Sequence, residues 1–424
     1  MHPTRSDPAM VFRFSLYGLL KNQRYFEPFF ALALLERGLS FAQIGVLIAI
    51  REGCLHALEV LSGAIADAYG RRLCMVASCL AYIVSFVGLA YGSTFWHYGA
   101  AMVAYGVGDA FRTGTHKAMI LTWLRDEGRL DDRTRVYGYT RSWSKIGSAV
   151  SSLAAGAFVF YRGRYSDVFL AAVVPYSLNL INLATYPRRL DGSPDGRFDP
   201  RAVWRRMGQA ISAVVRAGPL RGLIVESMAF EGTYKTVKDY LQPILVSVAV
   251  GVPIASLSGA QRPAVVIAVT YAVLFALSGI ASRHAHRFEA AWGGTDRASR
   301  RVWWLGAAGF ALLLTSLLLD AAAGAALLFL LLAGLQNVWR PLLVARVGAH
   351  AEPAQAATVM SIEAQAHSLT PMICAPLVGW LVDRGIEPHA TSVAGYWPAA
   401  ALGLALFAAA EPLRRHGSQA MTKP

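Results

Sequence analysis

Three stretches of the sequence set ionisable side chains at helical spacing within apolar surroundings. Tyr17, Lys21 and Arg24 stand at i, i+4 and i+7, with Glu27 close behind; Asp109, Arg112 and His116 share one helix face; Glu231 and Lys235 stand at i, i+4, with Lys238 adjoining. Gln336, Asn337 and Arg340, Arg51 and Glu52, Arg141 and Lys145, and Glu363 and His367 extend the set. Two kinds of chemistry fit such groups. Forked guanidinium contacts hold an anionic group of a solute, and a carboxylate in a desolvated setting takes up and releases a proton. The plainer alternative is structural pairing, since Asp109–Arg112, Glu231–Lys235 and Arg24–Glu27 all have the spacing of helical ion pairs. A lone histidine, such as His116 or His367, is more often a packed, hydrogen-bonded residue than a proton carrier.

The elements that would carry these groups are membrane spans. Of 424 residues, 55% are apolar and 16% charged, and mean hydropathy is positive, a balance that suits lipid rather than water as solvent. Apolar runs at 73–91, 168–187, 263–281, 303–320, 324–339 and 392–410 have about the length a helix needs to cross roughly 30 Å of hydrocarbon. Period-two alternation is absent, which excludes a β-barrel and leaves an all-α polytopic class. Cys54, Cys74, Cys79 and Cys374 lie in or beside apolar runs without metal or disulfide spacing, and read as small buried hydrophobes. Lys21 and Arg24 interrupt the first apolar run and no small-residue cleavage site follows, so this is expected to be a retained span rather than a signal peptide.

The net charge of +14 is a topology signal rather than a nucleic-acid footprint. Arginines gather between spans, at Arg71–Arg72, Arg125 to Arg135, Arg188 to Arg216, Arg283 to Arg301 and Arg414–Arg415, as cytoplasmic segments do. Placing all of them inside gives twelve spans, near 11–34, 42–66, 73–91, 97–122, 138–160, 168–187, 219–247, 262–282, 303–320, 324–345, 357–381 and 392–411, with both termini cytoplasmic. The segment 188–218 divides the chain into halves 1–187 and 219–424. It opens with a Gly/Pro/Asp linker and continues with a basic amphipathic stretch expected to lie on the inner membrane surface. Hydropathy alone misses the seventh span, because "EGTYKTVKDYLQP" at 231–243 is polar; only the sidedness of the flanking arginines requires it to cross.

"SGAIADAYGRR", residues 62–72, closely resembles the signature between the second and third helices of the major facilitator superfamily. Gly63 suits close helix approach, Asp67 a neighbouring helix N-terminus, Gly70 a tight turn, and Arg71 and Arg72 the cytoplasmic headgroup region. The resemblance implies a fold of twelve transmembrane helices in two pseudo-symmetric six-helix bundles, with this motif a latch for the outward-facing state. Residues 117–148 and 356–385 resemble bacterial members more loosely. The fifth span lacks the Gly-Pro signature of many drug exporters, the second-half counterpart of the latch near "SGIASRHAHRFE" lacks an aspartate, and "GWLVDRG" at 379–385 imitates the latch on the outer side, where it is expected to be a decoy.

In that fold the first, fourth, seventh and tenth helices line a central cavity, which turns the ionisable set into a candidate site. The substrate contacts are then Tyr17, Lys21, Arg24, Arg112, Lys235, Gln336, Asn337 and Arg340, and the proton-coupling carboxylates Asp109 and Glu231, followed by Glu52 and Glu363. Within the cavity set Lys21, Arg24, Arg112, Lys235 and Arg340 outnumber Glu27, Asp109 and Glu231, which favours an anionic or zwitterionic solute. The expected function is secondary active transport by alternating access, coupled to protons, in a bacterial inner membrane, by a monomer whose partners are solute, protons and lipid. No GxxxxGK[ST], GxSxG or HExxH pattern occurs, so neither ATP-driven transport nor an enzyme is expected, and no cofactor, metal or nucleic acid. "GVGD" at 106–109 reads as helix packing. Multidrug efflux, which would need a large apolar-aromatic pocket, and a non-transporting receptor on the same fold are the alternatives; transport in liposomes separates the receptor from the other two.

Overall fold

The computed structural model describes residues 8–113, 115–191, 218–252, 259–350, 356–386 and 392–421, together with 205, 208 and 257. Apart from Arg205 and Gly208, the amphipathic stretch of the linker lies outside the described residues, as do the side chains of Arg141 and Lys145. Every described element is helical, and twelve spans follow one another along the chain.

Eight spans are long single helices or nearly so: the second Phe41–Tyr69, third Arg71–Tyr91, fifth Arg133–Arg162, eighth Gln261–Ala291, ninth Thr295–Leu318, tenth Ala322–His350, eleventh Ala356–Gly385 and twelfth Trp397–Met421. The sixth, Val168–Ala184, is shorter. Local sequence sets their ends. Ser40 and Gln43 form a reciprocal capping box at the start of the second span. Gly70, at φ 106°, makes the turn into the third, and Gly163, in the left-handed region, ends the fifth.

The remaining three spans are interrupted, where the sequence suggests continuous helices. The first consists of Pro8–Lys21, an unwound stretch at 22–26, a 3₁₀ turn Glu27–Phe29 and a second helix Phe30–Glu36. Pro28 supplies the break, because a proline removes one backbone donor and disfavours helix in the residue before it. The fourth divides into Phe95–Arg112 and Thr115–Asp126. The seventh runs without a gap from Gly218 to Val250 but passes through a π turn, Met228–Gly232, and a 3₁₀ turn, Lys238–Tyr240. The polar stretch 231–243 therefore lies inside a helical span, as the arginine distribution requires.

Within the first half the first span packs on the fifth and sixth, and the third on the fourth and sixth; within the second half the eighth and ninth pack on the tenth, and the seventh and ninth on the twelfth. Two long contacts join the halves, the second span with the eleventh and the fifth with the eighth. Glycines at the end remote from Gly70 allow the closest approaches. A Cβ on Gly45 would collide with the Ala375 carbonyl, one on Gly379 with the Phe41 backbone, and one on Gly156 with Ala268. Asp383 adds charge to this seal: its two oxygens accept the Phe41 and Ala42 N–H groups at 2.8 Å each, capping the second span from the eleventh.

The motif at 379–385 is therefore no decoy. Gly379 and Asp383 do at this far end what the sequence suggests for Gly63 and Asp67 at the other. There a Cβ on Gly63 would meet nothing within 4 Å, and Asp67 is largely exposed and pairs with Arg71 at 3.3 Å instead of resting on a neighbouring helix. Asp191, after the sixth span, caps the third by accepting the Arg72 N–H at 2.7 Å and packs against Gly70. The second-half counterpart also has its acid, displaced from the expected position: Asp296, in the first turn of the ninth span, reaches Arg346 at 3.3 Å.

Candidate functional site

Between the two halves lies a cavity of about 450 Å³ to which the first, second, fourth, seventh, tenth and eleventh spans contribute. Its charged lining comprises Arg24, Arg51, Arg112, Lys235 and Lys238 against Glu27, Glu52, Glu59, Asp109, Glu231 and Asp239. The helix interruptions lie around it. Interrupted helices leave backbone groups without intrahelical partners, which membranes tolerate only inside protein or against a wet cavity. For the first span the partner is Gln242 of the seventh, itself fully buried. Its Oε1 accepts the Ala31 N–H at 2.8 Å, and its Nε2 donates to the Glu27 carbonyl at 3.0 Å and to Asp239 at 3.3 Å.

Most of the charges are paired. Arg112 donates to Asp109 at 2.6 Å and to the Tyr82 hydroxyl at 2.9 Å, while that hydroxyl donates a short bond to Asp109. Arg51 holds the buried Glu52 at 2.6 Å and Lys238 holds Asp239 at 2.7 Å. Arg24 stands in the unwound stretch with Glu27 3.7 Å away, and its Nε is buried without a hydrogen-bond partner. A buried donor left open in this way marks a place for a ligand group or ordered water.

The expected Glu231–Lys235 pair is not made. The π turn shifts Glu231 to face the tenth span, where Gln336 Nε2 donates to it at 2.5 Å. Lys235 instead contacts His367 Nε2 at 3.0 Å, and His367 Nδ1 lies 3.2 Å from Glu363. Glu363 is fully buried and also accepts from Arg340 at 2.6 Å and, by a short bond, from Ser227.

The proposed contact residues divide among three places. Arg24, Arg112, Lys235 and Gln336 line the central cavity. Tyr17 and Lys21 line a second cavity of about 380 Å³ between the first, fourth and fifth spans, joined to the first through Arg112 and Thr113. Its cations are Lys21, Arg112 and Lys117, its hydroxyls those of Tyr17, Thr113, Thr140, Ser144 and Ser148, and none of its described lining residues is acidic. His116 stacks on Tyr17 there at 3.8 Å. Asn337 and Arg340 line neither cavity but a cleft between the fifth, eighth and tenth spans; Asn337 donates to the Ala333 carbonyl of its own helix, and Arg340 is committed to Glu363.

Sequence reasoning overlooked Glu59, which faces the central cavity with no carboxylate hydrogen bond or ion pair among the described residues, and Asp239 and Gln242. Glu59 was legible: it follows Glu52 by seven residues, on the same helix face. Gly106 and Gly108 pack as expected, a Cβ on the first meeting Cys54 at 2.8 Å and on the second the Tyr82 ring at 3.0 Å.

Comparison with known proteins follows the same lines. The profile of the MFS_1 like family matches residues 11–242. Among solved structures, the chain is similar to the nucleoside transporter NupG at 12% identity, covering 98% of this chain and 100% of that one with a TM-score of 0.72. A bacterial homologue of the human lysosomal transporter Spinster, inward-facing and occupied, is similar at 15% identity, with coverage of 99% and 98% and a TM-score of 0.67. A D-xylose-proton symporter is similar at 14% identity, with 96% coverage of each chain and a TM-score of 0.64. At these identities the likeness is one of fold. No curated protein sequence matches the chain.

Proposed function

The chain belongs to the MFS_1 like family, whose profile spans more than half of it, and from that membership we propose that it is a secondary active transporter moving a small polar, zwitterionic or anionic organic solute by alternating access with proton coupling. The observation that carries this reading is the central cavity. It is walled by residues of both halves, surrounded by interrupted helices, and shut at the far end by the second–eleventh contact. That is the arrangement in which a midplane site is reached from one side at a time. Solved proteins of the same fold carry names of solute transporters, a nucleoside transporter and a D-xylose-proton symporter among them.

The charges refine the solute. Glu52, Glu59 and Asp239 offset the excess of cations that the sequence suggests for the central cavity, whereas the neighbouring cavity is purely basic. A dipolar solute suits both, its anionic group towards Lys21 and Arg112 and its ammonium or donor groups towards Glu59 and Glu231. We assign substrate contact to Tyr17, Lys21, Arg24, Arg112, Lys235 and Gln336, and give Arg340 a positioning role through Glu363. Arginines crowd the end that carries Gly70, in Arg71, Arg72, Arg125, Arg129, Arg188, Arg189, Arg283, Arg287, Arg300 and Arg301. This end is the cytoplasmic one by the positive-inside rule, in a bacterial inner membrane, with 188–218 linking bundles 1–187 and 219–424.

The test is a thermal-shift screen of purified protein against anionic and zwitterionic metabolites, followed by uptake of the best stabiliser into proteoliposomes. Arg24→Gln, with an unchanged melting temperature as the folding control, should lower saturable uptake at least tenfold. Folded variant protein that transports normally removes Arg24 from the site, and wild-type liposomes that take up none of the stabilising solutes overturn the transporter reading.

A further inference from the structure

Lys235 has a single hydrogen-bond partner among the described residues, Nε2 of His367, at 3.0 Å. An ammonium group carries three donors and no acceptor, so Nε2 must be the bare nitrogen of the ring. The ring proton is then on Nδ1, directed at Glu363 Oε1 3.2 Å away, and the imidazole is neutral in this arrangement. A proton arriving at Nε2 turns the acceptor into a donor. Two N–H groups, each on a cation, would then face each other across 3.0 Å.

We propose that His367 is the proton-binding site of the transport cycle, and that the proton and the Lys235 ammonium compete for its Nε2. The proposal rests on the transporter reading above and names the coupling group of that site. The surroundings of His367 decide where each charge goes. On its own helix Glu363 faces Nδ1, already shared with Arg340 of the tenth span and Ser227 of the seventh. From the seventh span come Lys235 and Glu231, and from the second Glu59 and the Arg51–Glu52 pair, all lining the cavity that His367 lines. Imidazolium is stabilised by Glu363, and the displaced ammonium has two carboxylates without a cation within the cavity, Glu231, one turn back, and Glu59.

Three of the carboxylates are less suited to the same task. Asp109, Glu52 and Glu363 each hold an arginine at 2.6 Å, and protonating any of them breaks that pair and leaves a desolvated guanidinium. Protonating His367 breaks only the Lys235 contact. That contact is one polar tie between the seventh span and the eleventh, beside Ser227–Glu363 and Thr370–Met228, so one proton both moves a charge and removes one tie between the two spans. The bookkeeping is simple: imidazole plus H⁺ gives imidazolium, no bond between heavy atoms forms or breaks, and deprotonation on the opposite side of the membrane restores the Lys235 contact.

The experiment is nitrogen-detected NMR of purified full-length protein with labelled histidine and lysine, titrated over about pH 5 to 8, where histidine ordinarily changes charge. His367 should carry its single proton on Nδ1 at the alkaline end and gain the second on Nε2 as pH falls, with the Lys235 Nζ signal moving in the same transition. His367→Gln offers Lys235 an amide oxygen that no proton displaces, so the Lys235 signal should become independent of pH. In proteoliposomes the same variant should lose the response of solute entry to an imposed pH gradient. A single proton found on Nε2, a ring that gains none over this range, or a Lys235 signal that titrates unchanged in His367→Gln overturns the proposal. Wild-type liposomes that move no solute overturn the transporter reading, and the coupling role with it, while the NMR result still decides the competition for Nε2.

Discussion

At the scale of the residue, the most heavily bonded acid among the described residues is one that sequence patterns do not reveal. Glu226 of the seventh span is fully buried and accepts from the Trp339 indole at 2.9 Å, from Ser299 at 3.1 Å, and from Arg346 at 2.9 and 2.8 Å. Removing one member of a buried ion pair costs about 3–5 kcal/mol through the charge left behind, here an upper figure because the exposed Asp296 still reaches Arg346 at 3.3 Å. Glu226→Ala should therefore lower unfolding stability by up to roughly that amount in detergent, measured by chemical denaturation. Adding Arg346→Met to it should recover part of the loss, since the stranded cation is gone; a double variant no more stable than the single one would place the cost elsewhere. In the sequence Glu226 and Arg346 are lone charges in apolar runs, 120 positions apart, so no local spacing joins them. The Lys235–His367 contact was hidden for the same reason, although both residues were singled out, whereas Asp109–Arg112 and Arg24–Glu27, made within one turn, were legible.

At the scale of the element, the sequence fixes how many spans there are but not how they are interrupted. Arginine sidedness placed the seventh span correctly because it depends on charge totals between spans. The break in the first span depends on a partner from the other half. Gln242 is the residue that makes it tolerable, by supplying hydrogen bonds to Ala31 N–H and the Glu27 carbonyl. Gln242→Leu keeps the volume roughly and removes all of them. Each buried backbone group left unsatisfied costs about 1–3 kcal/mol, so the variant should lose at least a few kcal/mol of stability. It should also exchange the amide hydrogens of Glu27 and of residues 29–32 faster than the wild type. Unchanged protection at those residues would show that water or another side chain serves the break. Proline at 28 marked the discontinuity in the sequence, but only the packing of the seventh span on the first explains why it survives in lipid.

At the scale of the whole molecule, the acids at the two ends are differently engaged. Asp383 caps the second span at the far end, while Asp67 at the other end is exposed and paired only with Arg71. A molecule that alternates needs each seal to be worth little, so that a solute and a proton can outweigh it. Asp383→Asn removes the charge from a helix N-terminus, an interaction worth about 0.3–2 kcal/mol, and should raise the population open at the far end by a factor of roughly two to thirty. Gly379→Val should act more strongly, because its side chain collides with the Phe41 backbone only when that end is shut. Thr236, buried beneath this seal against Phe41 and Gly45, reports on it. A Thr236→Cys reporter, in protein otherwise free of reactive cysteine, should react faster with an impermeant maleimide added from the far side when either change is present. Labelling from the Gly70 side of a reporter at Ile146, exposed in the cleft between the fifth and eighth spans, should fall in turn, since one population gains the amount that the other loses. Faster labelling at position 236 without that reciprocal fall would mean that the seal had merely loosened locally, and that the second–eleventh contact is not the element on which the two states turn.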